Sequence, residues 1–112
     1  MLIETPGVDL NPALTVGGNA GVTPLYVAAQ NNILDAVALL IDVGADVNKA
    51  RVNDITPLHV AAQDGHAAVV NLLIAAGANV HATRTDGATA ISFALAQGHA
   101  EVVQKLRAAG AN

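Results

Sequence analysis

A stretch of 33 residues recurs three times in this chain, and the recurrence limits the fold more than any other feature of the sequence. The copies begin at Thr23, Thr56 and Thr89 and read TPLYVAAQNNILDAVALLIDVGADVN, TPLHVAAQDGHAAVVNLLIAAGANVH and TAISFALAQGHAEVVQKLRAAGAN. They agree at nearly every apolar position. Repeats of about 20–50 residues are typical of arrays in which each unit is stable only when stacked on its neighbours.

Each copy predicts two short helices. A threonine hydroxyl caps the first helix, and proline follows it in two copies, where a missing N–H has no cost. Residues that tolerate a left-handed backbone, glycine or asparagine, mark the helix ends. The first helices are expected to end near Asn32, Gly65 and Gly98, and the second helices at Gly44, Gly77 and Gly110. The second helices are expected to begin near Ile33, His66 and His99.

The last copy differs from the others in its second helix. Apolar residues at helical spacing form a stripe there that is buried only if another copy covers it. Lys105 and Arg107 stand where the middle copy has Leu72 and Ile74. Positive charges near a helix C-terminus are favoured by the helix dipole, by about 0.3–1 kcal/mol. We therefore expect residues 89–112 to be a C-terminal cap, with the chain ending there.

The composition excludes several classes of function. The net charge is −4 and the five Lys and Arg residues are scattered, so no basic face is present for nucleic acid or an anionic membrane. No apolar run approaches the ~20 residues that span a bilayer, and the N-terminal residues do not form a signal peptide. The chain has no cysteine. We expect a soluble protein, cytoplasmic or otherwise intracellular, without nucleic-acid or membrane partners.

The repeated residues also resemble a known family. TPLHVAAQDGH, followed by LLIAAGANV, resembles the ankyrin repeat, and the likeness extends over residues 23–112. It is weaker in the third copy, where Ala90, Ile91 and Ser92 depart from the motif. The resemblance implies an all-α, ankyrin-type solenoid of stacked helical pairs with protruding turns. It also implies binding of other proteins through the turn tips and the concave face of the first helices.

The repeats predict the domain organisation. Residues 23–55 and 56–88 are two ankyrin repeats, and residues 89–112 are the capping repeat. Residues 1–22 contain LIETPGVDLN, which resembles LIDVGADVN with one extra residue, followed by an elongated glycine-rich turn. This remnant of a preceding repeat belongs to a longer array, folds back as a cap, or is covered by a partner. We expect a monomer, with self-association through the N-terminal face as the alternative.

Catalytic and metal-binding patterns are weak. VGGNAG at 16–21 lacks the Lys-Ser/Thr of a P-loop, so it predicts an elongated turn. Ser92, the only serine, lies inside a predicted helix without the sharp turn of a hydrolase nucleophile. Repeat-related histidines such as His66 and His99 lie about 8–10 Å apart, too far to share one zinc ion. We expect no catalytic residues, no metal and no cofactor.

The remaining histidines have structural interpretations. The resemblance implies that His59 bonds backbone groups of the adjoining turn. His81 occupies the position of Asn48 and stabilises its own turn.

The turns between the repeats carry the candidate binding residues. ARVNDI at 50–55 and TRTDGA at 83–88 place two arginines at equivalent positions, and arginine is enriched in binding hot spots. The candidate partner-binding residues in these turns are Arg51, Val52, Asn53, Ile55, Arg84, Thr85 and Asp86. Those on the first helices are Tyr26, Gln30, Asn31, Gln63, Asp64 and Gln97.

Two of these assignments have alternatives. The turn at residues 50–55 is a binding surface, or it is only a solvated loop in which Arg51 pairs with Asp54 or Asp86. Tyr26, the only tyrosine, is an exposed interface anchor, since an exposed tyrosine ring offers both apolar area and a polar end. In the alternative it fills the space that histidine fills elsewhere.

The sequence therefore predicts a non-catalytic protein-interaction module with a protein partner. Two alternatives remain. The chain is a structural fragment of a longer array or fused protein with no partner of its own, or it is an engineered binding scaffold.

Overall fold

The computed structural model describes residues 21–111, and within them six α-helices follow one another as three pairs. The helices are α1 (Pro24–Gln30), α2 (Leu34–Asp42), α3 (Pro57–Gln63), α4 (Ala67–Ala75), α5 (Ala90–Gln97) and α6 (Ala100–Ala108). A short 3₁₀ turn, Val52–Asp54, lies between the first and second pairs. The remnant and most of the glycine-rich turn expected within residues 1–22 lie outside the described residues.

Each first helix begins at a threonine, as the sequence predicts. The hydroxyls of Thr23, Thr56 and Thr89 accept hydrogen bonds from the backbone N–H three residues later. In the second and third repeats a side chain returns the bond. His59 Nδ1 accepts from the N–H of Thr56 at 2.9 Å, and Ser92 Oγ accepts from the N–H of Thr89 at 2.9 Å. These reciprocal caps satisfy backbone donors that a helix start leaves without a partner.

The predicted helix ends are also confirmed. The backbone is left-handed at Asn32, Gly65, Gly98, Gly44, Gly77 and Gly110. Short helices therefore stop at fixed points, and every repeat turns its chain at the same two places.

The helices form two layers that share one core. α3 packs between α1 and α5, and α4 packs between α2 and α6. The largest fully buried side chains are leucines, one in each of four helices: Leu25, Leu58, Leu73 and Leu106. Alanine and valine fill most of the remaining core, which lets neighbouring helices approach closely. The all-α solenoid expected from the repeats is confirmed.

The two charged substitutions in α6 differ in their exposure. Arg107 is exposed and Lys105 half-buried, both in the last turn of the helix. Their equivalents in α4, Leu72 and Ile74, are half-buried and pack against the core. The change from an apolar to a charged residue therefore coincides with greater exposure at Arg107, whereas Lys105 stays half-buried like Leu72.

Histidines at the start of the second helices connect neighbouring repeats. His66 Nε2 donates a hydrogen bond to the carbonyl of Gln30, and His99 Nε2 donates one to the carbonyl of Gln63, each at 3.0 Å. Each acceptor is the last residue of the first helix in the preceding repeat, Gln30 in α1 and Gln63 in α3. The bonds therefore satisfy carbonyls that a helix end leaves without an intrahelical donor.

Leu73 tests how strongly the fold depends on the stacked core. Leu73→Ala is expected to lower the free energy of unfolding by about 2–5 kcal/mol, because the side chain is fully buried and its loss leaves a cavity. Thermal and urea unfolding measured by circular dichroism check this. A cooperative melt shifted by only a degree or two would contradict the stacked core.

Gly65 and Gly98 form a matched pair that tests the histidine contact. Both have φ near +75°, so alanine carries the same backbone strain at each, about 1–2 kcal/mol. A Cβ at Gly65 would lie 2.7 Å from the ring of His99, whereas one at Gly98 would meet nothing within 4 Å. Gly65→Ala is therefore expected to lower the melting temperature more than Gly98→Ala. Equal losses in calorimetry would show that the ring moves without cost.

Candidate partner-binding surface

Two turns protrude between the repeats, and each is closed by backbone hydrogen bonds. We call residues 51–55 finger 1 and residues 83–89 finger 2. An antiparallel bridge joins Arg51 to Ile55, and another joins Thr83 to Thr89. The N–H of Arg51 donates to the carbonyl of Ile55 at 2.9 Å, which closes finger 1 at its base.

The tips of the fingers have backbone conformations that few residues adopt. Asn53 and Asp54 have φ values of 68° and 61°, in the left-handed region that asparagine and aspartate tolerate best. In finger 2 the carboxylate of Asp86 accepts from the N–H of Ala88 at 3.0 Å, and Gly87 takes the left-handed position. Both tips are thus fixed by local sequence.

Both arginines of the fingers lie over aromatic rings. The guanidinium carbon of Arg51 is 5.3 Å from the centre of the Tyr26 ring, and its Nη1 donates to the Tyr26 hydroxyl at 3.3 Å. The guanidinium of Arg84 lies 5.2 Å from the centre of the Phe93 ring. Arg84 also pairs with Asp86 in its own finger, with 3.2 Å between Nε and Oδ1. Cation–π contacts of this kind hold the base of each finger against a first helix.

His59 connects helix α3 to the base of finger 2. Its Nε2 donates to the carbonyl of Ala82 at 2.8 Å, while its Nδ1 accepts from the cap residue Thr56. Phe93 meets its ring edge-on, with the centroids 5.7 Å apart and the planes at 82°. The structural role implied for His59 is therefore confirmed, and the neutral ring with its proton on Nε2 is the form that makes both bonds.

The charge state of His59 follows from this environment. Burial lowers the pKa of His59 below its usual value of 6.5. The hydrogen bond to Ala82 and the charge of Asp86 raise this pKa, while the charge of Arg84 lowers it further. The net effect keeps the ring neutral, which leaves Nδ1 free to accept the cap hydrogen bond.

A backbone hydrogen bond joins the two fingers. The N–H of Thr85 donates to the carbonyl of Asn53 at 3.0 Å. The fingers are thus linked at their tips as well as through the helices beneath them, so they form one continuous edge.

Nine of the predicted binding residues lie exposed along this edge and at the ends of the first helices. On the fingers these are Val52, Asn53, Thr85 and Asp86, and on the helices Gln30, Asn31, Gln63, Asp64 and Gln97. Val52 is 39% exposed although it is apolar. The structure therefore leaves these side chains accessible on a scaffold of fixed geometry.

The other predicted binding residues have different surroundings. The expectation that Tyr26 is an exposed anchor is wrong, since the side chain is only 4% exposed and lies beneath Arg51. Ile55 is half-buried and packs against the core, so it is not a free apolar contact. Arg51 and Arg84 are half-buried because each lies on a ring.

Sequence reasoning missed two features of this region. Phe93 was not considered, although the chain has one tyrosine and one phenylalanine and both lie beneath an arginine. The sequence did offer a signal: the two turns have arginines 33 residues apart, and the chain has only two large aromatic rings for them to contact. Asn48 was the other omission: its side chain bonds the next repeat, at the Gly77 carbonyl and the Asn79 N–H.

The hydroxyl of Ser92, the only serine of the chain, has a structural partner. Ser92 Oγ donates to the carbonyl of Thr89 at 2.7 Å, within the helix cap. Residues 21–111 bring together no group of three histidine or acidic side chains suited to hold a metal ion. Over the same residues, no helix has the length and apolar character needed to cross a membrane.

Comparison with known proteins decides the family. A family model for ankyrin repeats, described as three copies, matches residues 47–112, and a single ankyrin repeat model matches residues 20–51. The chain belongs to the ankyrin repeat family. Ankyrin repeats are generally protein–protein interaction modules, which agrees with the exposed edge.

One curated protein shares part of this ankyrin sequence. The E3 ubiquitin-protein ligase XBAT32 of Arabidopsis thaliana is 40% identical over 45 residues. The match covers 40% of this chain and 9% of that protein, so the chain spans only a small part of its length.

His59 provides a test of the link between finger 2 and the fold. Because its pKa is lowered in the folded state, the unfolded chain takes up this proton first, below about pH 6.5. The neutral His59 ring therefore makes its full contribution to the free energy of unfolding above that pH. This contribution is lost as the pH falls below it. Wild type is expected to lose more stability between pH 7.5 and 5.5 than His59→Gln, which keeps a donor and an acceptor without titrating.

Urea unfolding at the two pH values measures the difference. The two proteins differ only at position 59, so the contributions of all other groups cancel in the comparison. The same pH dependence in both would contradict a neutral His59 in the folded state.

Proposed function

We propose that this ankyrin repeat chain is a non-catalytic module that binds a protein partner along its fingers and the adjoining ends of its first helices. The observation that carries the proposal is the combination of a fixed backbone and accessible tips. Arg51 and Arg84 hold the fingers on aromatic rings, while Val52 and Thr85 at the tips remain exposed. A surface that is already ordered loses little conformational entropy on binding.

The chemistry of the edge favours a particular kind of partner surface. The exposed charged groups of finger 1 and the end of α3 are carboxylates, those of Asp54 and Asp64. The positive charges of Arg51 and Arg84 are directed onto rings of this chain. A partner with lysine or arginine around a small apolar group that meets Val52 complements this arrangement.

The non-catalytic part of the proposal rests on how the polar side chains are used. His59, the buried histidine, and Ser92, the only serine of the chain, are both committed to helix caps. Neither offers the free lone pair or free hydroxyl that general-base or nucleophilic catalysis needs. The surface that remains is one for recognition.

A matched pair of double variants tests the proposal. Val52→Lys with Thr85→Lys adds two positive charges at the finger tips, which a basic partner would repel. Ala38→Lys with Ala68→Lys adds the same charges at exposed positions of α2 and α4, away from the fingers. Each variant is immobilised and exposed to a lysate of the cells that encode the chain, and retained proteins are identified by mass spectrometry and then measured as purified proteins.

A partner of the finger edge is expected to bind wild type and the helix variant alike, and to bind the tip variant at least about tenfold more weakly. Circular dichroism confirms that all three remain folded. A partner lost by the helix variant and kept by the tip variant would overturn the proposed edge. A partner retained equally by all three would also overturn the proposed edge, and the retention of no specific protein by any of them would favour the alternative of a structural segment with no partner of its own.

A further inference from the structure

A groove between α5 and α6 lies open on the last repeat, and we call it the end groove. It has a volume of about 290 Å³, and apolar groups form most of its walls. The residues that line it include Leu95, Gly98, Ala100, Val103, Gln104 and Arg107. None of these belongs to a finger or to the predicted binding residues, so the end groove is distinct from the proposed binding edge.

Leu95 makes the end groove unsuited to a further stacked repeat. Its equivalents, Ala29 and Ala62, have no exposed surface, whereas Leu95 is 54% exposed. Ala94, one position earlier, is fully buried although no described repeat lies beyond it, so Leu95 occupies the position that faces outward. A helix pair stacked as closely as the others would press against the larger leucine side chain, and such overpacking is destabilising. The shape of the groove therefore favours a different occupant.

Gly65 and His99 show what fits beside such a glycine. The imidazole of His99 lies against Gly65 and donates to the carbonyl of Gln63. At the equivalent place in the last repeat, a Cβ at Gly98 would meet nothing within 4 Å. The carbonyl of Ala96, equivalent to that of Gln63, accepts no hydrogen bond from a described residue. A planar ring beside Gly98 could therefore donate an N–H to a carbonyl that the helix end leaves without a donor.

Arg107 supplies the charge of the end groove. It is exposed, and no described carboxylate pairs with it. Its equivalent in the middle repeat is the apolar Ile74, so the positive charge is particular to the last repeat. A guanidinium group makes two parallel hydrogen bonds with a carboxylate. An occupant of the groove therefore gains from a carboxylate placed next to its ring.

We propose that the end groove binds a tryptophan side chain of a partner protein together with a carboxylate next to it. The indole ring lies beside Gly98 against Leu95 and Val103, its N–H donates to the carbonyl of Ala96, and the carboxylate pairs with Arg107. Indole is favoured over imidazole because it combines one donor with a large apolar surface, which these apolar walls complement. The proposal does not depend on the finger edge.

A short peptide tests this chemistry. N-acetylglycyl-tryptophan, which ends in a free carboxylate, is titrated into the isotope-labelled full chain, and the backbone N–H signals are followed by NMR. Its C-terminal amide lacks the negative charge, and N-acetylglycyl-phenylalanine lacks the ring N–H. Arg107→Gln is the test variant. Lys105→Gln is the matched control, because it removes the same charge from the last turn of α6 at a residue that does not line the groove.

Saturable shifts are expected at Gly98 and Gln104. The acid is expected to bind about two- to fivefold more tightly than the amide, which is the range for an exposed ion pair. Arg107→Gln is expected to abolish this difference, whereas Lys105→Gln keeps it. The phenylalanine peptide is expected to bind at least about twofold more weakly than the tryptophan peptide, because it leaves the Ala96 carbonyl without its donor.

Several outcomes contradict the proposal. The absence of saturable shifts in the groove, or shifts confined to the fingers, would show that the end groove is not the site. An acid–amide difference that persists in Arg107→Gln would exclude the pairing with that arginine. Equal binding of the phenylalanine peptide would exclude the hydrogen bond to Ala96. Each of these results leaves the finger edge to its own test, since the tip variants alter no residue of the groove.

Discussion

The stacking of each helix pair on the next is the interaction on which the rest of this structure depends. The helices have seven to nine residues, too few to be stable alone in water. Their alanine and valine faces become buried only between neighbouring pairs, where Ala61, Ala62 and Val69 have no exposed surface. The fingers, the caps and the exposed edge all derive their positions from this stack.

Features that depend on nearby residues were predictable from the sequence. Thr56 caps α3 because its hydroxyl reaches a backbone N–H three residues away, and Gly65 ends the following turn because it adopts a left-handed backbone. The exposure of Arg107 was predictable for a different reason: the comparison of repeats shows a charged residue where the middle repeat has an apolar one. These inferences need only local geometry and the period of the repeat.

Features that depend on distant residues were not predictable in the same way. Tyr26 in α1 lies beneath Arg51, which comes 25 positions later in finger 1. His66 bonds the carbonyl of Gln30, 36 positions earlier. The repeat period shows that these residues lie in neighbouring units. It does not show which way each side chain points or which group it bonds, because these depend on three-dimensional packing. The exposed residues of the candidate site were easier to predict than its buried supports.

The hydrogen bond from Thr85 to Asn53 has a consequence for recognition. Because it ties one finger to the next, the interval between the finger tips follows the distance between stacked helices, about 8–10 Å. A change in the size of a side chain between α3 and α5 would alter that interval while leaving every exposed residue the same. If a partner binds the finger tips as proposed, the interior of the array therefore contributes to partner choice, because the core sets the spacing of the tips.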